Sequence, residues 1–258
     1  MVSTLASVQQ RGALDLSGRR VLVTGATGGI GRAVCTRFSE CGARIAVHYL
    51  RDADGAHAIS EALQPDDCLV AQANLADEGE ALALLGTIER AWGGLDTIVH
   101  CASMGTFRPL LDTRASHWDL THAVHTRALW LLARGAAPAM PPGSAIIALS
   151  SLGGRRAMPA YGAVGVAKAA LESLVRYLAA ELAVRDVRVN AIAGGPVEGE
   201  RLRGSPVHGA LRAEATQRAG GRFATPFEIA DVALFLASPL ARWVQGQTIV
   251  VDGGFSLW

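Results

Sequence analysis

Lysine is nearly absent from this chain. Of its 24 basic residues, 23 are arginine and only Lys168 is lysine. A coding bias, seen also in the abundance of alanine and glycine, accounts for the arginines but not for the one lysine that survives. Arginine serves wherever only positive surface is needed. A compact ammonium on a thin stem is needed where a cation must fit beside another group and perturb its protonation. Lys168 is therefore read as a functional residue. Charge of one sign is also lacking: 24 basic against 23 acidic residues give a net charge of +1, which leaves no footprint for nucleic acid or a membrane surface. No apolar run reaches the roughly 18 residues of a membrane span. The opening segment MVSTLASVQQRGALDL has neither a basic start nor a continuous apolar stretch, so no secretory signal is expected. The four cysteines, Cys35, Cys41, Cys68 and Cys101, fall at no metal-ligand spacing and read as reduced thiols of a cytoplasmic protein.

What is present is 258 residues, 50% of them hydrophobic, enough for one large α/β domain. Short apolar runs read as strands at Arg20–Thr24, Arg44–Tyr49, Cys68–Ala71, Leu95–Ala102, Ser144–Ser150, Val187–Ala193 and Gln247–Val251. Helical patterns lie between them: one from Ile30 stopped by Gly42, then Ala53–Leu63, Asp77–Trp92 with an acidic first turn, His117–Met140 ended by Pro141-Pro142, Ala163–Val184, and Pro226–Ala237 with proline in its first turn. Continuous apolar strands alternating with helices predict one doubly wound, Rossmann-type domain over residues 1–258. Its sheet should have about seven parallel strands, with helices on both faces. Residues 1–18 read as an N-terminal extension. Gly194 to Arg222, rich in glycine and arginine, reads as a substrate-covering segment with a short helix at best.

Three constellations carry chemistry. The loop Gly25-Ala-Thr-Gly-Gly-Ile-Gly31 follows the first strand and opens a helix. Glycines there permit a tight turn and close backbone approach, and the helix start offers amide donors to a pyrophosphate. Gly25, Thr27, Gly28, Gly29, Ile30 and Gly31 are thus candidate cofactor residues. At the end of the second strand, where NAD-binding folds place a carboxylate for the ribose, stand Tyr49, Leu50 and Arg51. Without a carboxylate to repel it, a 2′-phosphate can be clamped by Arg51, which favours NADPH; a solvated loop arginine is the plainer reading. Third, the pair Ser150-Ser151 comes after the fifth strand, and Tyr161 and Lys168 follow. A nearby ammonium favours the phenolate, so this tyrosine can act as an acid.

TGATGGIG, the serine pair, the Tyr–Lys pair and the closing GQTIVVDGG together resemble the short-chain dehydrogenase/reductase superfamily along essentially the whole chain. The usual superfamily spacing is Tyr-x3-Lys, but Gly165 and Val164 stand where it would place a lysine or a tyrosine. Tyr161-x6-Lys168 is instead the spacing of enoyl-[acyl-carrier-protein] reductases. The stretches SSLGGRRAMPAYGAVGVAKAALESLVRYLAAEL, VNAIAGGPVE, FRPLLD and SHWDL are similar to the FabL-type (type III) NADPH-dependent enoyl reductases. The resemblance implies hydride delivery to the β-carbon of an α,β-unsaturated acyl thioester carried on acyl carrier protein or coenzyme A. Tyr161 would bond the enolate oxygen, and Lys168 would hold the nicotinamide ribose. It further implies a catalytic role for Ser151, cofactor contacts at Asn74, Leu75, Ala102, Gly195, Pro196 and Val197, and a homotetramer.

The chain departs from the family pattern in places. His100-Cys101-Ala102-Ser103 replaces the usual Asn-Asn-Ala-Gly. His125 stands for the asparagine of the long helix, either as a proton relay or as a packed core histidine. Gly199 replaces the threonine usual after the Pro-Gly segment. No carboxylate or cysteine completes a ligand set with His117, His122 and His125, so no metal is expected. Arg201, Arg203, Arg212, Arg218 and Arg222 in the covering segment suit a phosphopantetheine or coenzyme A phosphate, or an acidic carrier; a solvated surface is the alternative. Two rival functions remain open: a ketoreductase or other carbonyl reductase of a polyketide-like pathway, and a non-catalytic NADP-binding protein.

Overall fold

The computed structural model describes residues 14–63, 67–105, 107–218 and 220–257. Most of the expected N-terminal extension, residues 1–13, lies outside them. Seven strands, β1 (Arg20–Thr24), β2 (Arg44–Tyr49), β3 (Cys68–Gln72), β4 (Thr97–His100), β5 (Ala145–Ser151), β6 (Arg188–Gly194) and β7 (Thr248–Val251), form one parallel sheet in the order β3-β2-β1-β4-β5-β6-β7. The strands alternate their side chains between two apolar layers. Val21, Val23, Ile45, Val47, Ile147 and Leu149 face one layer with helices α1 (Gly29–Glu40), α2 (Ala53–Ala62) and α9 (Pro226–Ala237). Leu22, Ala46, Ile98, Ile146 and Ala148 face the other, with α3 (Glu78–Trp92), α5 (Ala128–Ala136) and α6 (Gly162–Leu182). Burial on both faces is why these strands read as continuous apolar runs rather than alternating ones. The expected Rossmann-type architecture is what forms.

The helix ends follow local chemistry. Asp77 caps α3 by accepting from the Glu80 amide at 2.9 Å, and Gly93 ends it in the left-handed conformation at φ 70°. Thr225 and Glu228 form a capping box at the start of α9, with proline in the first turn. At the other end of α9, the buried Arg188 donates to the carbonyls of Leu236 and Ala237, a cation set against the negative helix terminus.

Two expectations need correction. The single helix expected over His117–Met140 is α4 (Ala115–His122) and α5 joined through a π-helical turn at Ala123–Arg127. A side chain from β4 holds that turn, as described below, so its cause is tertiary and not periodic. The covering segment holds two helices, α7 (Glu200–Arg203) and α8 (His208–Thr216), and has its own small core. Leu211, Ala215 and Phe223 pack with Leu152 and Phe255, flanked by Met158, Leu202 and Val207. Its two ends meet where Val197 pairs with Ala224 and the Ala224 amide donates to the Pro196 carbonyl at 2.9 Å.

Candidate active site

The strand order reverses between β1 and β4, and their carboxyl ends open the crevice where such sheets bind ligands. The glycine loop leaves β1 there. Gly25 has φ +63°, and a Cβ on it would lie 2.8 Å from the Ala102 Cα, so any other residue would push the loops after β1 and β4 apart. Gly28 and Gly29 are exposed, and α1 begins at Gly29 with no side chain capping its first amides. This exposed, uncapped backbone fits the pyrophosphate of a dinucleotide. Thr27 and Ile30 are half-buried beside it, and Gly31 is buried.

Two histidines brace this loop, and sequence reasoning missed one of them. His48, in β2 and 3% exposed, accepts from the Gly25 amide through Nδ1 at 3.0 Å, and its Nε2 lies 3.0 Å from the Ala73 carbonyl oxygen. It therefore ties the glycine loop to the turn that carries Asn74 and Leu75. His100 is fully buried at the end of β4. Its Nδ1 is 3.0 Å from the Thr24 hydroxyl, which itself accepts from the Ala102 amide at 3.1 Å. Its Nε2 is 3.1 Å from the Val124 carbonyl inside the π-turn. With an amide donating to one nitrogen and a carbonyl beside the other, His48 is a neutral imidazole protonated on Nε2; the same tautomer suits His100. Burial pushes the His48 pKa down. Burial and then the charge of Lys168 push that of His100 to about 3. Burial raises the Cys101 thiol to about 12 despite the same lysine, so it stays protonated.

His125 lies in the π-turn, fully buried, with Nε2 2.7 Å from the Met104 carbonyl oxygen and 3.4 Å from the Ser103 hydroxyl. The π-turn thus presents the Val124 carbonyl to His100 and the His125 ring to the loop after β4. A neighbouring hydroxyl, Thr126, donates to the Ala167 carbonyl of α6 at 3.1 Å.

Tyr161 is the N-cap residue of α6, with φ −114° and ψ 7°, so its ring leaves the chain just ahead of the helix. Ala160, directly before it, holds φ 57°, an uncommon conformation for a residue with a Cβ. The ring lies on Gly153: a Cβ there would be 2.4 Å from Tyr161 Cδ1. Phe107 also packs beside it, with ring centroids 5.7 Å apart and the planes tilted by 37°. The Arg108 amide donates to the Ala160 carbonyl at 2.7 Å, so the loops after β4 and after β5 are fastened together beside the tyrosine. Lys168 is 4% exposed and donates to the Leu149 carbonyl of β5. Seven residues make nearly two full helical turns, about 700°, so positions 161 and 168 share a face. Gly165 lies between them, and a Cβ on it would come 2.6 Å from the Gly153 carbonyl oxygen. Val164, at the Tyr-x3-Lys position, is 2% exposed.

Ser151 ends β5 half-buried and accepts from the Gly153 amide at 3.2 Å. Ser150 donates instead to Glu172 Oε1 at 2.6 Å, and Arg155 Nε donates to Oε2 at 2.9 Å. Glu172, one turn beyond Lys168 and 5% exposed, escaped the sequence reading. A carboxylate in the buried stripe of an apolar helix was the available signal. Tyr49 is half-buried and Arg51 exposed, both at the end of β2. Gly195, Pro196 and Val197 follow β6, with the Gly195 amide donating to the Val251 carbonyl at 3.0 Å.

The arginines of the covering segment do not form the open phosphate cluster expected of them. Arg212 pairs with Glu198 and lies 4.6 Å over the Phe223 ring. Arg218 pairs with Glu214 at 2.7 Å and lies 5.7 Å from the Phe255 ring centroid. Arg222 engages both oxygens of Glu228, at 2.8 and 2.6 Å. Arg203 is exposed, and the Arg201 side chain lies outside the described residues. The charges of Arg212, Arg218 and Arg222 are thus engaged by Glu198, Glu214 and Glu228. Among the described residues no group of three metal-ligating side chains gathers, and no helix is long and apolar enough to cross a membrane.

Comparison with known proteins places this geometry. Residues 25–256 match the family model described as enoyl-(acyl carrier protein) reductase. The chain is 36% identical to the enoyl-[acyl-carrier-protein] reductase [NADH] FabI of Synechocystis, over 95% of this chain and 98% of that protein. It is 34% identical to the 1-cyclohexenylcarbonyl-CoA reductase of Streptomyces collinus, over 92% and 86%. Among solved structures, a short-chain dehydrogenase/reductase from Brucella melitensis superposes with a TM-score of 0.89 at 30% identity, covering 93% and 98% of the two chains. The angucycline C-6 ketoreductase LanV with bound NADP superposes with a TM-score of 0.87 at 32% identity, covering 95% and 98%.

Proposed function

Because the chain belongs to the enoyl-(acyl carrier protein) reductase family of short-chain dehydrogenase/reductases, we propose that it reduces the carbon–carbon double bond of an α,β-unsaturated acyl thioester with NADPH. The observation that carries this reading is the displaced tyrosine. Tyr161 caps α6 seven residues ahead of Lys168, while an apolar, buried Val164 fills the position one turn ahead of the lysine. A donor set further out along the helix axis suits a carbonyl oxygen when the reacting carbon is two bonds beyond the carbonyl carbon. The reduced nicotinamide supplies the hydride.

The chain's own residues do the rest. Tyr161 donates its phenolic hydrogen to the thioester oxygen as negative charge develops there. Lys168 holds the nicotinamide ribose and lends its charge to the same oxygen. Ser151 offers a hydroxyl at the end of β5. His125 fixes the Ser103–Met104 turn through Met104, which makes it a positioning residue. Gly25, Thr27, Gly28, Gly29, Ile30 and Gly31 cradle the pyrophosphate, and Asn74, Leu75, Ala102, Gly195, Pro196 and Val197 line the cofactor. Arg51, beside Tyr49 with no carboxylate at the end of β2, clamps a 2′-phosphate. That feature favours NADPH although the Synechocystis relative is named for NADH. The acyl group arrives on acyl carrier protein or coenzyme A, and the assembly is a homotetramer.

The similarity to the LanV ketoreductase supports a second reading, reduction of a β-keto group. Matched enoyl and β-ketoacyl thioesters with NADPH separate the two. Enoyl turnover is expected, and Tyr161→Phe should lower it by about 10²–10³-fold with NADPH affinity unchanged. Reduction of the ketone alone, or wild-type enoyl turnover in the variant, would transfer the assignment to the ketoreductase.

A further inference from the structure

We propose that Glu172 is a positioning residue for Tyr161: through Ser150 and Arg155 it holds the Gly153–Gly154 turn on which the tyrosine ring rests. The inference builds on the role given to Tyr161 above and adds a residue that no part of that role required.

The last three residues of β5 are each fastened. The Leu149 carbonyl accepts from Lys168, the Ser150 hydroxyl donates to Glu172 at 2.6 Å, and the Ser151 hydroxyl accepts from the Gly153 amide at 3.2 Å. The short 3₁₀ turn Leu152–Gly154 follows immediately. Arg155, just beyond it, returns to Glu172 Oε2 at 2.9 Å. The two oxygens of one buried carboxylate therefore grip the chain on both sides of the turn, at residues 150 and 155. The turn is pressed against α6. A Cβ on Gly154 would lie 3.1 Å from the Ala169 amide nitrogen and 3.3 Å from Glu172 Oε1, and one on Gly153 would strike the Tyr161 ring. There is little slack between the carboxylate and the phenol.

A buried carboxylate is costly unless compensated. Here one bond goes to a buried serine and the other to an arginine whose side chain is 44% exposed. A fold that only needed packing at position 172 would do better with leucine. The geometry assigns the charge to holding the turn. Loosening it lets the ring move against the substrate oxygen, and displacements of about 1 Å at reacting groups can cost about 10²-fold.

The test is a kinetic cycle on the full-length enzyme with NADPH and a crotonyl thioester of coenzyme A. Glu172→Ala should lower kcat by about 10²-fold, with KM for NADPH changed less than about twofold. Glu172→Gln keeps an acceptor for Ser150 and should lose less. Arg155→Ala should lower kcat in the same direction. In a Tyr161→Phe background, Glu172→Ala should have no further effect on the residual rate, because the group it positions is gone. Should Glu172→Ala fail to fold, Glu172→Gln and Arg155→Ala carry the same cycle. Wild-type kcat in the single variants, or losses that multiply fully with Tyr161→Phe, would overturn the proposal. Wild-type kcat in Tyr161→Phe would instead overturn the role of the tyrosine, so the two failures are distinguishable.

Discussion

Replacing His100 by asparagine should make the stability of this protein less sensitive to acid. His100 is fully buried between the Thr24 hydroxyl and the Val124 carbonyl, and its pKa falls from 6.5 to about 3. In the unfolded chain it takes up a proton near pH 6.5; in the folded protein it does not until about pH 3. Its contribution to stability is therefore complete above pH 6.5 and is lost as the pH falls toward 3. At about 1.4 kcal/mol per pH unit, the loss is about 2.7 kcal/mol by pH 4.5 and about 5 kcal/mol at its limit. That is a large share of the roughly 5–15 kcal/mol of a typical domain. His48, whose pKa is lowered by burial, adds in the same direction in both proteins. Asparagine keeps one donor and one acceptor but is too short for both partners. His100→Asn should thus cost about 1 kcal/mol at pH 7.5 through one lost hydrogen bond. Urea midpoints measured from pH 7.5 to 4.5 give the difference curve, in which the carboxylates common to both proteins cancel. The two curves should converge as the pH falls and cross if the shift is as large as the burial implies. Parallel curves would refute the reasoning, as would a proton-resonance titration of His100 near pH 6.5 in the folded protein.

Three further outcomes follow from the site. Arg51→Ala should weaken NADPH binding by about 1.5–3 kcal/mol while sparing NADH, the size of a charge-assisted hydrogen bond; titration with both cofactors checks this, and equal wild-type affinities would remove the 2′-phosphate assignment. Lys168→Arg should impair turnover although the charge is kept, because a planar guanidinium cannot occupy the buried position of the ammonium beside the Leu149 carbonyl; near-normal kcat would reduce the lone lysine to coding bias. Gly165→Ala would put a Cβ 2.6 Å from the Gly153 carbonyl oxygen and should cost about 1–3 kcal/mol of stability together with part of kcat, measured by thermal melts and steady-state rates.

The strands were legible because burial on both faces makes each an uninterrupted apolar run, and the helix ends because Asp77, Gly42 and Pro226 act through bonds within a few residues. The π-turn was not. The apolar pattern of residues 115–136 continues across it, and what holds it is the His100–Val124 contact between elements 24 residues apart. The covering segment divides the same way. Glu214 and Arg218 stand at helical spacing, and their pairing could have been read. Arg212 finds Glu198 across 14 residues and Phe223 through the segment's own small core, which no local rule predicts. The seven-residue separation of Tyr161 from Lys168, which puts both on one face of α6, was legible in the sequence. The Gly153 turn beneath the Tyr161 ring was not, since only the packing of β5 on α6 brings the two together.

The histidines at the family's asparagine positions bear on how far those departures reach. An asparagine can donate to a carbonyl and accept from a donor at once. A neutral imidazole does the same through Nε2 and Nδ1, across a longer span. His100 does so between Thr24 and Val124, and His125 meets the Met104 main chain from within the π-turn. The two-sided bridge is seen at His100; at His125 the contact is made through Nε2 to the Met104 main chain. What is exchanged is an untitratable brace for one that must stay neutral, enforced at His100 by burial and by the charge of Lys168. The charge of Lys168 thus helps keep the His100 brace unprotonated, so a histidine at this position is compatible with the lysine.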